Sequence, residues 1–270
     1  MSVLVTVAGY NYGPKAFQKD VLTFLNDQDL IDYFPKSFYV DWEEGNALDV
    51  LEDMVSNRKL EPLIHETVDT LAEAFAYAIE HSQNVAIVSF STGSLLVELA
   101  LKFFTDNYVP EIRHLMLAPA INGGHIITLA KFVQPLVIAK LTNDLVKSKN
   151  HPFLKILVGA FAAKNFVDWV QNKDLIGGLF QGIANDEFNS GLNILRFVLY
   201  SKDDNIVKIN HKIPNAVYFS ISGIGHSQVG SFGQEELERV YDIEGDRSET
   251  TKERVLRHYF TGTVIAPDFL

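Results

Sequence analysis

Short runs of aliphatic and β-branched residues recur along the chain, each followed by a stretch whose apolar positions fall three and four apart. The first run, residues 3–7, predicts a buried strand. A turn follows, Gly9–Tyr10–Asn11–Tyr12–Gly13, and Pro14 then suits the first turn of a helix with the apolar stripe Phe17, Val21, Phe24 and Leu25. Residues 37–42 predict a second strand, and Leu63, Ile64, Val68, Leu71, Phe75 and Ile79 mark one face of a long helix. Residues 84–90 form the third run, with Leu95, Leu96, Leu99 and Phe103 facing inward from the helix behind it. Residues 114–117, 195–200 and 216–221 supply three more strands, and residues 247–259 a closing helix. Strands alternating with amphipathic helices predict an α/β fold, a doubly wound and mainly parallel sheet of about six strands.

Residues 121–191 break that alternation. Their pattern is helical and strongly apolar, chiefly over 126–145 and 153–170, and offers no strand to the sheet. Residues 1–120 and 192–270 are therefore expected to form the core, and 121–191 a helical cap over the strand ends. Two extra helices packed on the sheet are the alternative. The most apolar part, residues 125–141, is interrupted by Lys131, Gln134 and Lys140, so a membrane span is not expected. The 34 acidic residues outnumber the 23 basic ones for a net charge of -11, which argues against a nucleic-acid partner. Cysteine is absent, excluding disulfides, thiolate metal sites and a cysteine nucleophile. Without a basic leader before the first strand, a cytoplasmic location is the expectation.

The candidate chemistry lies at three strand ends. After the third strand comes Ser89–Phe90–Ser91–Thr92–Gly93, and a helix begins at once. A sharp strand-to-helix turn strains its central residue and lifts that side chain above the sheet edge. Small residues two before and two after are needed where the backbones crowd. Ser89 and Gly93 meet that need around Ser91, which could otherwise be a plain helix N-cap. The fifth strand runs out into Asp203–Asp204–Asn205–Ile206–Val207, and the sixth into Gly223–Ile224–Gly225–His226. Parallel sheets bind ligands beyond the carboxyl ends of their strands, so Ser, Asp and His would meet at one edge. A hydroxyl nucleophile needs a base, and the base needs a carboxylate to orient it.

With Ser, Asp and His in that order behind three strands, the chain resembles the α/β-hydrolases over roughly residues 2–118 and 193–227. The resemblance implies Ser91 as nucleophile, His226 as base and Asp204 as the orienting acid, with Asp203 as competitor. It implies an oxyanion hole from the backbone amides of Thr92 and Tyr10, with Asn11 as the alternative to Tyr10. Asn11 and Tyr12 are expected at the substrate pocket, although Tyr10 and Tyr12 could equally be surface turn residues. With residues 3–7 in the role of the family's third strand, the spatial order would be 2-1-3-4-5-6. The activity implied is cleavage of a carboxylic ester, with a small, apolar ester as partner given the apolar insertion. Thioesterase, acyltransferase, amidase and lyase chemistry use the same three groups, and a slow ligand receptor could keep the same pocket.

Three weaker motifs carry nothing. Gly9 to Lys15 has the wrong spacing for a phosphate loop, with Pro14 intervening and Ala16 where a hydroxyl is required. Gly223–Ile224–Gly225 opens like a dinucleotide fingerprint, but Gln228 replaces its third glycine. His65–Glu66 begins like a zinc helix, but Asp69 takes the second ligand's place. His81, His114, His125, His151, His211 and His258 show no ligand spacing. No metal and no cofactor are expected.

Overall fold

The computed structural model describes residues 1–9, 12–41, 60–101, 103–104, 109–120, 192–207, 213, 216–242 and 249–262. The expected cap, residues 121–191, lies outside the described residues, as do Tyr10 and Asn11.

Six strands form one sheet: β1 (Ser2–Val7), β2 (Lys36–Tyr39), β3 (Asn84–Phe90), β4 (Ile112–Leu117), β5 (Ile194–Ser201) and β6 (Ala216–Ile221). All five pairings are parallel, in the order β2-β1-β3-β4-β5-β6. The helices beside it are α1 (Pro14–Asp27), α2 (Leu60–Glu80) and α3 (Thr92–Leu101). From β1 the chain moves first to β2 on one side and then to β3 on the other. Right-handed crossovers in opposite directions put α1 and α2 on opposite faces. Ring contacts agree: Phe75 of α2 meets Phe104, just beyond α3, at 4.8 Å, whereas Phe24 of α1 meets Phe260 near the C-terminus at 5.8 Å. A sheet covered on both faces explains why β1 and β3 are apolar runs and not alternating ones.

Beyond β6 the elements are short. They are α4 (His226–Gly230), α5 (Gln234–Leu237), an antiparallel ribbon of β7 (Val240–Asp242) and β8 (Glu249–Thr251), and α6 (Lys252–Thr261). The sequence pattern predicts one helix over 247–259. The structure instead assigns Glu249–Thr251 to β8, and the helix starts where the Thr251 hydroxyl accepts the Arg254 amide.

Two core positions also differ from expectation. Ile79 is exposed because the buried stripe of α2 runs through Thr67, Leu71, Ala74 and Ala78, which takes the inward place one residue earlier. Phe103 is exposed because α3 ends at Leu101, and Phe104 turns inward in its stead.

Candidate active site

The turn between β3 and α3 is built by crowding. Ser91 sits at φ 51°, a left-handed conformation that costs a non-glycine residue energy and that surrounding structure must enforce. Its amide donates to the Leu117 carbonyl at 2.9 Å, tying the turn to the end of β4. A Cβ on Gly93 would lie 2.4 Å from the Val7 carbonyl oxygen and 2.5 Å from that of Ala8, so only glycine lets α3 approach β1 this closely. Ser89 is wholly buried, and its hydroxyl is spent on inward partners. Phe90, between them, fills the space that Gly9 and Gly230 leave open. A Cβ on either glycine would meet its ring within 2.7 Å.

The three residues expected to cooperate are brought together. His226 opens α4, and its Nε2 lies 2.8 Å from the Ser91 Oγ. The other ring nitrogen, Nδ1, lies 2.6 Å from Asp204 Oδ2. Asp204 follows β5, is buried, and accepts the amides of Ile206 and Val207 on its second oxygen at 2.7 and 2.9 Å. Those two amides orient the carboxylate and leave its other oxygen for the imidazole. A carboxylate on Nδ1 fixes the proton there and leaves Nε2 as the acceptor facing the serine. The Phe90 ring lies 5.1 Å from the imidazole, centroid to centroid, and backs it on the inner side.

Asp203 is used differently. Its carboxylate accepts the Gly223 amide at 2.6 Å and ties the loop after β5 to the loop after β6. It is exposed, whereas Asp204 faces the imidazole. Thr92 is buried at the first turn of α3, beside the Ser91 backbone, where the helix presents its positive dipole end. Tyr12 lies with its ring edge against Phe17 and Phe90, at 5.3 and 6.1 Å, and donates its hydroxyl to Asp20. Burial and the Asp20 carboxylate both push that phenol's pKa upward, so it stays a neutral donor.

The all-parallel order β2-β1-β3-β4-β5-β6, the reversal of winding direction at β1 and the strained serine between β3 and α3 define the fold. It is the α/β-hydrolase fold. No family model and no curated protein matches the chain. Among solved structures, it is similar to a carboxylesterase of Bacillus subtilis at 15% identity and TM-score 0.49, covering 98% of this chain and 85% of that one. A lipase of Bacillus licheniformis in mature form is similar at 16% identity and TM-score 0.48, covering 86% and 87%. An esterase of Pyrobaculum calidifontis is similar at 12% identity and TM-score 0.48, covering 85% and 69%. Among the described residues no cluster of His, Asp and Glu is placed to hold a metal, and no helix is long and apolar enough to cross a membrane.

Behind the turn lies a buried polar chain that sequence reasoning missed. The Ser89 hydroxyl lies 2.8 Å from Ser94 Oγ and 2.7 Å from His114 Nε2. His114 Nδ1 lies 2.9 Å from Glu98 Oε1, and Arg196 grips both oxygens of Glu98 at 3.0 and 2.9 Å. Burial alone would raise the Glu98 carboxyl. The bond from His114 and the charge and bonds of Arg196 outweigh that and hold it below the usual carboxylate range. Burial pushes the His114 pKa down against the pull of Glu98, and the Arg196 charge adds to the lowering. His114 is therefore neutral, accepting from Ser89 and donating to Glu98. A visible signal existed: His114 and Arg196 stand inside strands covered on both faces, where a charge must find a partner.

Proposed function

We propose that the protein is a serine hydrolase that cleaves a carboxylic ester with an apolar acyl group, through an acyl-enzyme on Ser91. The observation that carries this reading is the unbroken chain from Ser91 Oγ to His226 at 2.8 Å and from His226 to Asp204 at 2.6 Å. His226 Nε2 takes the serine proton as Oγ attacks the ester carbon, and the imidazolium so formed is stabilised by Asp204. The tetrahedral oxygen is held by the amides of Thr92 and Tyr10, with Asn11 as a further donor. Collapse expels the alcohol, which leaves with the proton that His226 returns. Water then attacks the acyl carbon, giving a proton to His226, which passes it to the Ser91 Oγ as the acid departs. Each half-reaction thus restores the starting protonation.

The strongly apolar composition of residues 121–191, read as a cap, supports a greasy acyl group over a sugar or peptide. Asn11 and Tyr12, which follow β1 in the sequence, belong to the wall of that pocket in this reading. The test is steady-state turnover on a matched panel of esters, thioesters and amides with short and long acyl chains. The expected result is highest kcat/KM on esters, rising with acyl length before solubility limits it. Turnover of thioesters or amides alone would overturn ester specificity, and no turnover on any member would overturn the enzyme reading.

A further inference from the structure

The helix that carries His226 has only five residues, a length at which a helix has too few internal hydrogen bonds to persist by itself. Its position, and so that of the imidazole, must be imposed from outside. At its front end the Gln228 side-chain oxygen accepts the Gly225 amide at 2.7 Å, while the Gln228 side-chain nitrogen donates to Glu236 of α5 at 2.9 Å. From below, the Phe90 ring packs so closely that Gly230 admits no Cβ.

At its rear end stands Lys252, the first residue of α6, which has no exposed surface. Its Nζ donates to the carbonyls of Val229, at 2.7 Å, Gln228, at 3.2 Å, and Ser231. It also lies 5.6 Å over the Phe232 ring. Gln228 and Val229 lie in the last turn of α4 and Ser231 is its C-cap, whose amide donates to the Gln228 carbonyl at 3.2 Å, and a cation at this end complements the helix dipole. Three acceptors match the three N–H bonds of an ammonium, one more than a neutral amine has. Burial pushes that ammonium down to about 7, and the Glu236 carboxylate opposes the shift. A fully buried lysine is rare without such partners, and neither the sheet nor the Ser–His–Asp chain requires one here.

We propose that Lys252 is a positioning residue for the catalytic base: by clamping the carbonyls of Gln228, Val229 and Ser231 at the end of α4 it holds His226 within bonding distance of Ser91. The proposal rests on the reading of Ser91 and His226 as nucleophile and base. It acts through the imidazole alone, so it alters the reactivity of Ser91 and leaves substrate binding untouched.

The test compares the parent with Lys252→Met and Lys252→Arg. Three quantities are read: the second-order rate of Ser91 labelling by an alkyl fluorophosphonate, kcat and KM for a soluble p-nitrophenyl ester, and folding by circular dichroism. The methionine variant should label roughly tenfold or more slowly and lose kcat in proportion, with KM within about twofold of the parent, the pattern of an interaction expressed in the transition state. The arginine variant keeps the charge and the donors and should recover part of both rates. If the methionine variant does not fold, Lys252→Gln, neutral and one atom shorter, is read by the same criteria. A folded neutral variant that labels at the parent rate, or one that changes KM alone, would overturn the clamp while the parent's own labelling keeps the Ser91 reading. A parent that neither labels nor turns over ester would overturn both.

Discussion

Replacing Glu98 by glutamine tests whether the buried chain behind the active-site turn is held by charge or by shape. Glu98 joins α3 to β4 and β5 through three bonds: one from His114, at 2.9 Å, and two from Arg196, at 3.0 and 2.9 Å. Glutamine fills the same volume but has one acceptor oxygen. Placed to keep His114 and the Arg196 Nε, that oxygen leaves the amide nitrogen facing the second guanidinium nitrogen, donor against donor. Arg196, buried like Glu98, then loses its counter-charge. Removing one partner of a buried ion pair costs about 3–5 kcal/mol, roughly a fifth or more of a typical domain's stability of about 5–15 kcal/mol. For a chain of this size that corresponds to a Tm lower by roughly 6–20 °C. Urea unfolding at pH 7, followed by tryptophan fluorescence and by circular dichroism, reads the loss. Arg196→Met should cost a similar amount. The double variant should lose clearly less than the sum of the two, because with both partners replaced no charge of the pair is left behind. A loss below about 1 kcal/mol for Glu98→Gln, the scale of an ordinary surface change, would refute the reasoning.

Three further outcomes follow from the same geometry. Asp204→Asn should lower kcat about 10³–10⁴-fold, because an amide N–H donating to Nδ1 selects the tautomer whose Nε2–H meets the serine. Asp203→Asn, which still accepts the Gly223 amide, should stay within about tenfold of the parent, so equal losses would contradict the assignment of the acid. Gly93→Ala should cost about 1–3 kcal/mol and much of the activity, since its Cβ would press on the Val7 and Ala8 carbonyls and move the turn; a neutral result would deny the close approach of α3 to β1. Stability should fall in two stages on acidification. His114 is held neutral when folded, so the unfolded chain binds the extra proton and stability is lost as pH falls below about 6.5; Glu98, held ionised, adds its loss below about 4.5. Acid unfolding curves of the parent and of His114→Asn separate the stages, and a variant with an unchanged first stage would remove His114 from it.

The strands and their order were legible because a sheet covered on both faces leaves long apolar runs, and β3 to α3 shows the small residues that its turn demands. The sequence order of Ser91, Asp204 and His226 was legible for the same reason: each follows a strand end. The region after β6 was not, since α4 and α5 are too short to show a period, and β8 reads as the start of α6. Nor was the buried chain from Ser89 to Arg196, because apolar neighbours in β4 and β5 hide a charge that only its partners on other elements explain. Lys252 sits in a charged stretch, Arg247 to Arg254, that reads as solvated, and only the fold turns its ammonium onto α4. The bond from the Tyr12 hydroxyl to Asp20 and the contact of its ring with Phe90 were not legible either, since both partners lie on other elements.

The most direct test of the central claim is pre-steady-state turnover of a p-nitrophenyl ester, with the acylated protein trapped in acid and mapped by mass spectrometry. With Ser91 as nucleophile, the parent releases a burst approaching one p-nitrophenol per protein, and the acyl group is found on the peptide carrying Ser91. Ser91→Ala gives neither burst nor adduct while remaining folded, since the lost hydroxyl contributes only about 1 kcal/mol. An adduct on another residue, or a burst that survives in the alanine variant, would contradict the account.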